Sequence, residues 1–237
     1  MELKIVFSDV DGTLLNSEHK MLDGTKYAIQ KLQKKDIPFV IISARSPSGI
    51  YPILEENGFS SPIICYSGAL ILDENKNTVY SSGFNREIAE KVISFIEKEN
   101  FNCCWNLYSG DNWIVKDKSD ERVITEENIV KTEAVSGSVE SLSNDAKIGK
   151  ILCICNPDKT DEIEDKIKKN FPALSVVKSF HTMIEIMAPG ITKGSAVLEL
   201  CRLWNIDVKR AAAFGDNFND VEMLEVVSFP FLMENAP

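Results

Sequence analysis

Two short apolar runs, far apart in the chain, each end in a knot of acidic residues. The first, Leu3-Lys-Ile-Val-Phe-Ser8, runs into Asp9-Val-Asp-Gly-Thr13. The second, Ala211-Ala-Ala-Phe214, runs into Gly215-Asp-Asn-Phe-Asn-Asp220. In the second knot, two carboxylates and two amides crowd one strand end. Such acids repel, which is hard to justify in a fold unless a cation sits among them. An all-oxygen set of this kind suits Mg²⁺.

The pattern around these runs alternates strand and helix. Residues 23–35 read as a helix with Tyr27, Ile29 and Leu32 on its apolar side and Asp23 or Thr25 to cap it. Pro38–Ile42 is almost continuously apolar, as in a strand buried on both faces. Ser46–Asn57 reads as a second helix stopped by Gly58, and Pro62–Tyr66 as a third strand. The order β-α-β-α-β with short links predicts a parallel sheet wound by right-handed crossovers. A hairpin is expected over residues 69–81, turning at Asp73–Asn77.

The rhythm then changes. Arg86–Glu99 has Ile88, Val92, Phe95 and Ile96 on one helical side. Strands are expected at Phe101–Leu107, Asn112–Lys116, Lys150–Cys155, Ser175–Ser179 and Met183–Met187, with a helix at Lys159–Asn170. The polar stretch up to about Asp145 shows no readable element. From Pro189 the first rhythm returns, with a helix at Ser195–Trp204 that puts Ala196, Val197, Leu200 and Leu203 on one face. The expected class is α/β: a Rossmann-like, doubly wound parallel-sheet core at residues 1–82 and 188–237, with an inserted α+β domain at 83–187.

With 237 residues, the chain can bury a core without disulfides. Its 44% hydrophobic and 26% charged residues exclude a disordered or membrane protein. A formal net charge of −10 argues against nucleic acid or an anionic membrane as partner. Any anionic substrate therefore needs a local positive field. No signal-peptide pattern opens the chain, and the apolar runs are too short to span a bilayer, so a cytoplasmic location is expected. Six cysteines without a CxxC pair read as buried thiols of a reducing compartment; metal ligation by Cys103-Cys104 and Cys153/Cys155 is the alternative.

Open α/β sheets bind ligands beyond the carboxyl ends of their strands. Gly12 permits a turn that lets Asp9 and Asp11 face one site. Ser43, in Ile41-Ile-Ser-Ala-Arg45, offers a hydroxyl at a strand end that suits a phosphate oxygen. Lys193, in Gly190-Ile-Thr-Lys-Gly194, stands at a helix start, where basic residues are disfavoured. Alone, it would read as a solvated lysine.

Taken together and in this order, DVDGT, the strand-end serine, the lysine and GDNFND resemble the haloacid dehalogenase (HAD) superfamily of aspartate-nucleophile phosphotransferases. The place and size of the insert resemble the Cof-like sugar-phosphate phosphatases. The resemblance implies that Asp9 is the nucleophile forming an aspartyl-phosphate and that Asp11 is the general acid. It implies a Mg²⁺ site made by Asp9, the backbone carbonyl of Asp11, Asp216 and, through water, Asp220, which also steadies Lys193. Ser43 and Lys193 would bind phosphoryl oxygens, with Asn219 assisting and Gly12, Thr13, Ala44 and Arg45 supporting the loops. Residues 83–187 would be a cap that closes over the crevice and sets specificity. The implied activity is Mg²⁺-dependent hydrolysis of a small phosphorylated metabolite, a sugar phosphate above all, by a monomer or weak homodimer. A phosphosugar mutase, or a truncated inactive relative that only binds ligand, would keep the same residues. A receiver-type signalling domain needs neither the insert nor Asp11.

Three departures from the family pattern stand out. Ser43-Ala44-Arg45 replaces Thr-Gly-Arg, and Ser67-Gly68-Ala69 stands where relatives place an asparagine before Gly-Ala. Relatives also continue through a Gly-Asn-Ala turn and a final helix, whereas this chain stops at Pro237 after Met233-Glu-Asn-Ala236. A missing terminal helix would expose an apolar face near Phe229–Met233, so either a truncated form of a longer protein or a partner covering that face is expected. His19 and His181 read as loop histidines, Trp105, Trp113 and Tyr108 as core of the insert, and the Asp158–Lys169 charge run as a solvated helix face.

Overall fold

Apolar runs only four residues long suffice for the central strands, because both faces of each are covered. A computed structural model of the chain describes residues 2–237. In chain order, β1 (Ile5–Ser8), α1 (Asp23–Gln33), β2 (Phe39–Ile42), α2 (Pro47–Asn57) and β3 (Ile63–Cys65) lead into the antiparallel strands β4 (Leu70–Leu72) and β5 (Thr78–Ser81). Next come β6 (Phe84–Asn85), α3 (Arg86–Lys98), β7 (Cys103–Ser109), β8 (Asn112–Val115), α4 (Glu121–Val130) and β9 (Val135–Ser136). They are followed by β10 (Lys147–Ile148), β11 (Lys150–Cys155), α5 (Thr160–Asn170), β12 (Ser175–Phe180) and β13 (Met183–Met187). The chain finishes with α6 (Lys193–Leu203), β14 (Ala211–Gly215), α7 (Val221–Val226) and β15 (Phe229–Leu232).

The chain divides into two compact units. One runs up to Ser81 and resumes at Ile191–Pro237; the other is Ser82–Gly190. The joints lie between 81 and 82 and between 190 and 191. The first unit is built on a seven-stranded sheet of order β15-β14-β1-β2-β3-β4-β5. The five strands from β15 to β3 pair in parallel. β1 and β14 are adjacent, with β2 and β3 on one side and β15 on the other, so the winding reverses between them. Doubly wound sheets open their ligand crevice at that point. Ile5, Phe7, Val40 and Ile42 pack with Ala196, Val197 and Leu200 of α6 in the core of this unit.

The second unit has a six-stranded sheet, β12-β13-β11-β7-β8-β9, antiparallel except for its β8–β9 edge. Ile93 and Ile96 of α3 and Ile163 and Ile167 of α5 cover one face of it. Trp105, Trp113 and Tyr108 are buried, and Glu162 pairs with Lys159 and Lys166 on the solvated side of α5.

Three expectations are corrected. Tyr27 is not on the buried side of α1: it is 59% exposed, with the Lys31 ammonium 4.4 Å from its ring centroid. Neither Asp23 nor Thr25 caps that helix, whose N-cap position is Leu22. The featureless polar stretch does contain a helix, α4, which buries only Val123 and therefore leaves almost no apolar stripe to read. Among the described residues, no helix is long and apolar enough to cross a membrane.

This distribution of burial makes a direct prediction. Leu200→Ala should lower stability by about 2–5 kcal/mol, whereas Tyr27→Ala should change it by less than about 1 kcal/mol. Urea denaturation followed by circular dichroism measures both, and comparable losses would contradict the core assignment.

Candidate active site

β1 and β14 pair in register, with Ser8 opposite Phe214, so the residues just beyond them, Asp9 and Asp216, come to the same end of the sheet. Gly12 turns the first loop back at φ 84°, and a Cβ there would lie 2.2 Å from Asp216 Oδ2. Gly215 packs equally tightly: its Cβ would lie 2.5 Å from that of Asp220. These two glycines let the acidic loops approach one another.

Lys193, the first residue of α6, is 1% exposed. Its Nζ donates to Asp9 Oδ1 and to Asp220 Oδ1, each at 2.6 Å. Asp220 is fully buried, and its Oδ2 accepts from the amides of Asp216 and Asn217, both at 3.0 Å. Asp216 accepts from the Thr13 hydroxyl at 2.7 Å and from the Asn235 amide at 3.0 Å. Carboxylate oxygens of Asp9, Asp216 and Asp220 all lie within 4.8 Å of one another.

Ser43 is buried beyond the end of β2, the strand next to β1, and its hydroxyl accepts from the Arg45 amide at 3.3 Å. Arg45 crosses to Asp11 and grips its carboxylate with two hydrogen bonds, of 2.9 and 2.7 Å. His19 Nδ1 lies 3.9 Å from the same carboxylate. The Asp11 carboxylate is therefore half exposed and stands with Arg45, outside the buried acidic cluster. Asn219 is exposed on the Phe218–Asp220 turn and makes none of these hydrogen bonds.

A family model described as haloacid dehalogenase-like hydrolase matches residues 6–237. The chain belongs to the haloacid dehalogenase-like hydrolases. A Haemophilus influenzae protein named "Putative phosphatase" is 36% identical over 238 residues, an alignment that covers all of this chain and 89% of the relative. The crystal structure of TM0651 from Thermotoga maritima, 25% identical, superposes with a TM-score of 0.89 over 100% of this chain and 88% of that one. A haloacid dehalogenase-like hydrolase from Bacteroides thetaiotaomicron, at 21% identity, shares the fold with a TM-score of 0.89 over 100% of this chain and 90% of that one.

In this hydrolase, the Lys193 ammonium bonds two of the three clustered carboxylates, Asp9 and Asp220. Burial pushes the Asp9 carboxyl up to about 6; Lys193 offsets part of that, and the Asp220 charge adds to it. Burial works against the Lys193 charge, but Asp9 and Asp220 outweigh it and hold the ammonium above the usual lysine range. A cluster with more negative than positive charge, all-oxygen donors and oxygens this close fits a small hard divalent cation. Asp220 already spends both oxygens on Lys193 and two amides, so Asp9 and Asp216 are the better placed to touch such an ion.

Sequence reasoning missed Asn235. The only signal was its place just past an apolar run, inside Met233-Glu-Asn-Ala236. It also missed the strained loop after β3. There Tyr66 and Ser67 take φ of 52° and 54°, and Gly68, at 125°, lets the α6 N-terminus approach. A Cβ on Gly68 would lie 2.9 Å from Thr192 O.

Two predictions follow from these charges. Lys193→Met strands Asp9 and Asp220 as buried carboxylates, and should cost about 3–5 kcal/mol in chelator-treated protein, with part regained on adding Mg²⁺. A loss that Mg²⁺ leaves untouched would contradict the cluster. Asp9 binds its proton more tightly folded than unfolded. Its contribution is therefore fully present below about pH 4, and on the order of 2–3 kcal/mol is lost as pH rises through about 6. Without divalent cations, Asp9→Asn should thus gain stability relative to the parent between pH 4 and 7 in paired urea titrations; a pH-independent difference would refute this.

Proposed function

We propose that this hydrolase is a Mg²⁺-dependent phosphatase of small phosphomonoesters, with sugar phosphates as the leading substrate class. The observation that carries the reading is the Lys193 ammonium held between Asp9 and Asp220 beside Asp216. The name of the Haemophilus influenzae relative points the same way.

An aspartate is a poor nucleophile toward a phosphate dianion, because like charges repel. Lys193, bonded to Asp9 itself, lowers that repulsion at the attacking carboxylate. A bound Mg²⁺, held by Asp9 and Asp216 with Asp220 behind, would supply further neutralisation of phosphoryl charge. Asp9 forms a bond to phosphorus while the bond to the leaving oxygen breaks, and Asp11 gives that oxygen its proton. Asp11 then takes a proton from water, which attacks phosphorus and frees Asp9 together with inorganic phosphate. Splitting hydrolysis this way is covalent catalysis with one acid–base residue serving both steps. Arg45 fixes where Asp11 stands, and the buried Ser43 hydroxyl is the neighbouring donor for a phosphoryl oxygen.

The test is a panel of phosphate esters assayed with Mg²⁺ and with chelator, on the parent, Asp9→Asn and Asp11→Asn. Expected are loss of turnover with chelator, background rates for Asp9→Asn, and a roughly 10²–10⁴-fold slower Asp11→Asn that binds Mg²⁺ as the parent does. Parental rates in Asp9→Asn would defeat the mechanism. Conversion of hexose 1-phosphate to hexose 6-phosphate, with no free phosphate, would replace the phosphatase reading by a mutase.

A further inference from the structure

The insert carries a thiol arrangement that the hydrolase site does not use. All six cysteines are thiols, and three of them, Cys103, Cys153 and Cys155, lie on one face of the β7–β11 ladder. Cys103 and Cys155 are directly opposite in register. The Cys155 amide donates to Thr182 O on the other flank of β11, at 2.7 Å, so Cys103–Cys155 is a non-hydrogen-bonded pair. Side chains approach most closely in that class of antiparallel pair, where Cα atoms stand about 4.5 Å apart. That spacing falls inside the range a disulfide spans, roughly 4.4–6.8 Å. Cys153 faces Trp105 and lies diagonal to Cys103; its thiol reaches the Cys103 sulfur as a hydrogen-bond donor, but diagonal Cα atoms stand about 7–8 Å apart, beyond what a disulfide spans without backbone movement.

Arg122 brackets this pair. Its Nη1 donates to Asn102 O at 3.2 Å and to Ile154 O at 3.4 Å, the carbonyls preceding Cys103 and Cys155. Cys103 is partly exposed, and Cys155 lines an open recess with Asn102, Asp120, Arg122 and Asn156. Cys155 itself is buried, so a small polar oxidant meets the pair first at the partly exposed Cys103.

We infer that Cys103 and Cys155 form a peroxide-reactive dithiol, with Cys103 attacking and Cys155 resolving. The Cys103 sulfur, as thiolate, attacks one peroxide oxygen and the O–O bond breaks. The departing hydroxide takes up the thiol proton and leaves as water, with Cys103 left as a sulfenic acid. The Cys155 sulfur then attacks the Cys103 sulfur and the S–O bond breaks. That oxygen leaves as water with the Cys155 proton. Two thiols lose two electrons to one peroxide, giving one disulfide and two waters. Thiols donated by Cys153 and Cys155, with help from Arg122, hold Cys103 below the ordinary cysteine range, which favours it as the attacking sulfur. Burial pushes Cys201 up to about 11, consistent with its staying inert.

The experiment treats the reduced 237-residue chain with hydrogen peroxide, blocks remaining thiols by alkylation, and maps peptides without reduction. Expected is the loss of two thiols per chain, reversed by dithiothreitol, with a Cys103–Cys155 linked peptide and intact Cys65 and Cys201. Cys155→Ser should leave a Cys103 sulfenic acid that dimedone traps, and Arg122→Gln should slow thiol loss at least about threefold. Survival of all six thiols would overturn the inference. So would a link through Cys104 or between chains, or direct conversion of Cys103 to sulfinic acid. Because the parent protein alone yields the peptide map, a variant that fails to fold does not decide the matter.

Discussion

Lys193 carries its charge to a place almost closed to water, and the carboxylates of Asp9 and Asp220 make that tolerable. Neither side of this arrangement stands alone. An isolated buried ammonium or carboxylate is strongly disfavoured, so the three groups hold one another in position. Because Asp9 follows β1, Lys193 opens α6 and Asp220 precedes α7, the charge constraint ties the first and last parts of the core together. Asp216 joins from the loop whose amides bind Asp220.

The topology makes the meeting possible, and the small residues complete it. Adjacent parallel strands wound in opposite directions leave a crevice at their carboxyl ends. Gly12 and Gly215 let the two acidic loops close to distances at which any Cβ would collide with Asp216 or Asp220. Gly68 does the same for the N-terminus of α6. The left-handed Tyr66 and Ser67 beside it store backbone strain next to Ser43, whose carbonyl accepts from the Ser67 amide. Function here rests on backbone approach as much as on side-chain chemistry.

The parts legible in the sequence are those with local signals. Apolar strand runs, the α3 stripe and the Gly58 stop are all written in neighbouring residues, and the acidic knots announce themselves. What the sequence hides is partnership across the sheet. The crowding of Asp216 and Asp220 argued for a cation, yet Lys193 and two amides already meet Asp220, a pairing 27 residues apart in the chain. Asp11 sits only two residues from Asp9, but its carboxylate turns to Arg45, because the loop after β2 offers a bidentate partner there. Asn235 reaches Asp216 across 19 residues, and no spacing rule predicts it. The helix α4 was unreadable for a different reason: it buries one apolar side chain and so has no period to detect.

The proposed function requires Asp9 and Asp216 to share one divalent cation while Lys193 and Asp220 brace the Asp9 carboxylate. Crystals soaked in Mn²⁺ and measured at a wavelength where manganese scatters anomalously test this most directly. The account predicts one strong peak in contact with carboxylate oxygens of both Asp9 and Asp216, abolished by Mg²⁺ in excess. A peak on either residue alone, or manganese bound only elsewhere on the surface, would contradict it.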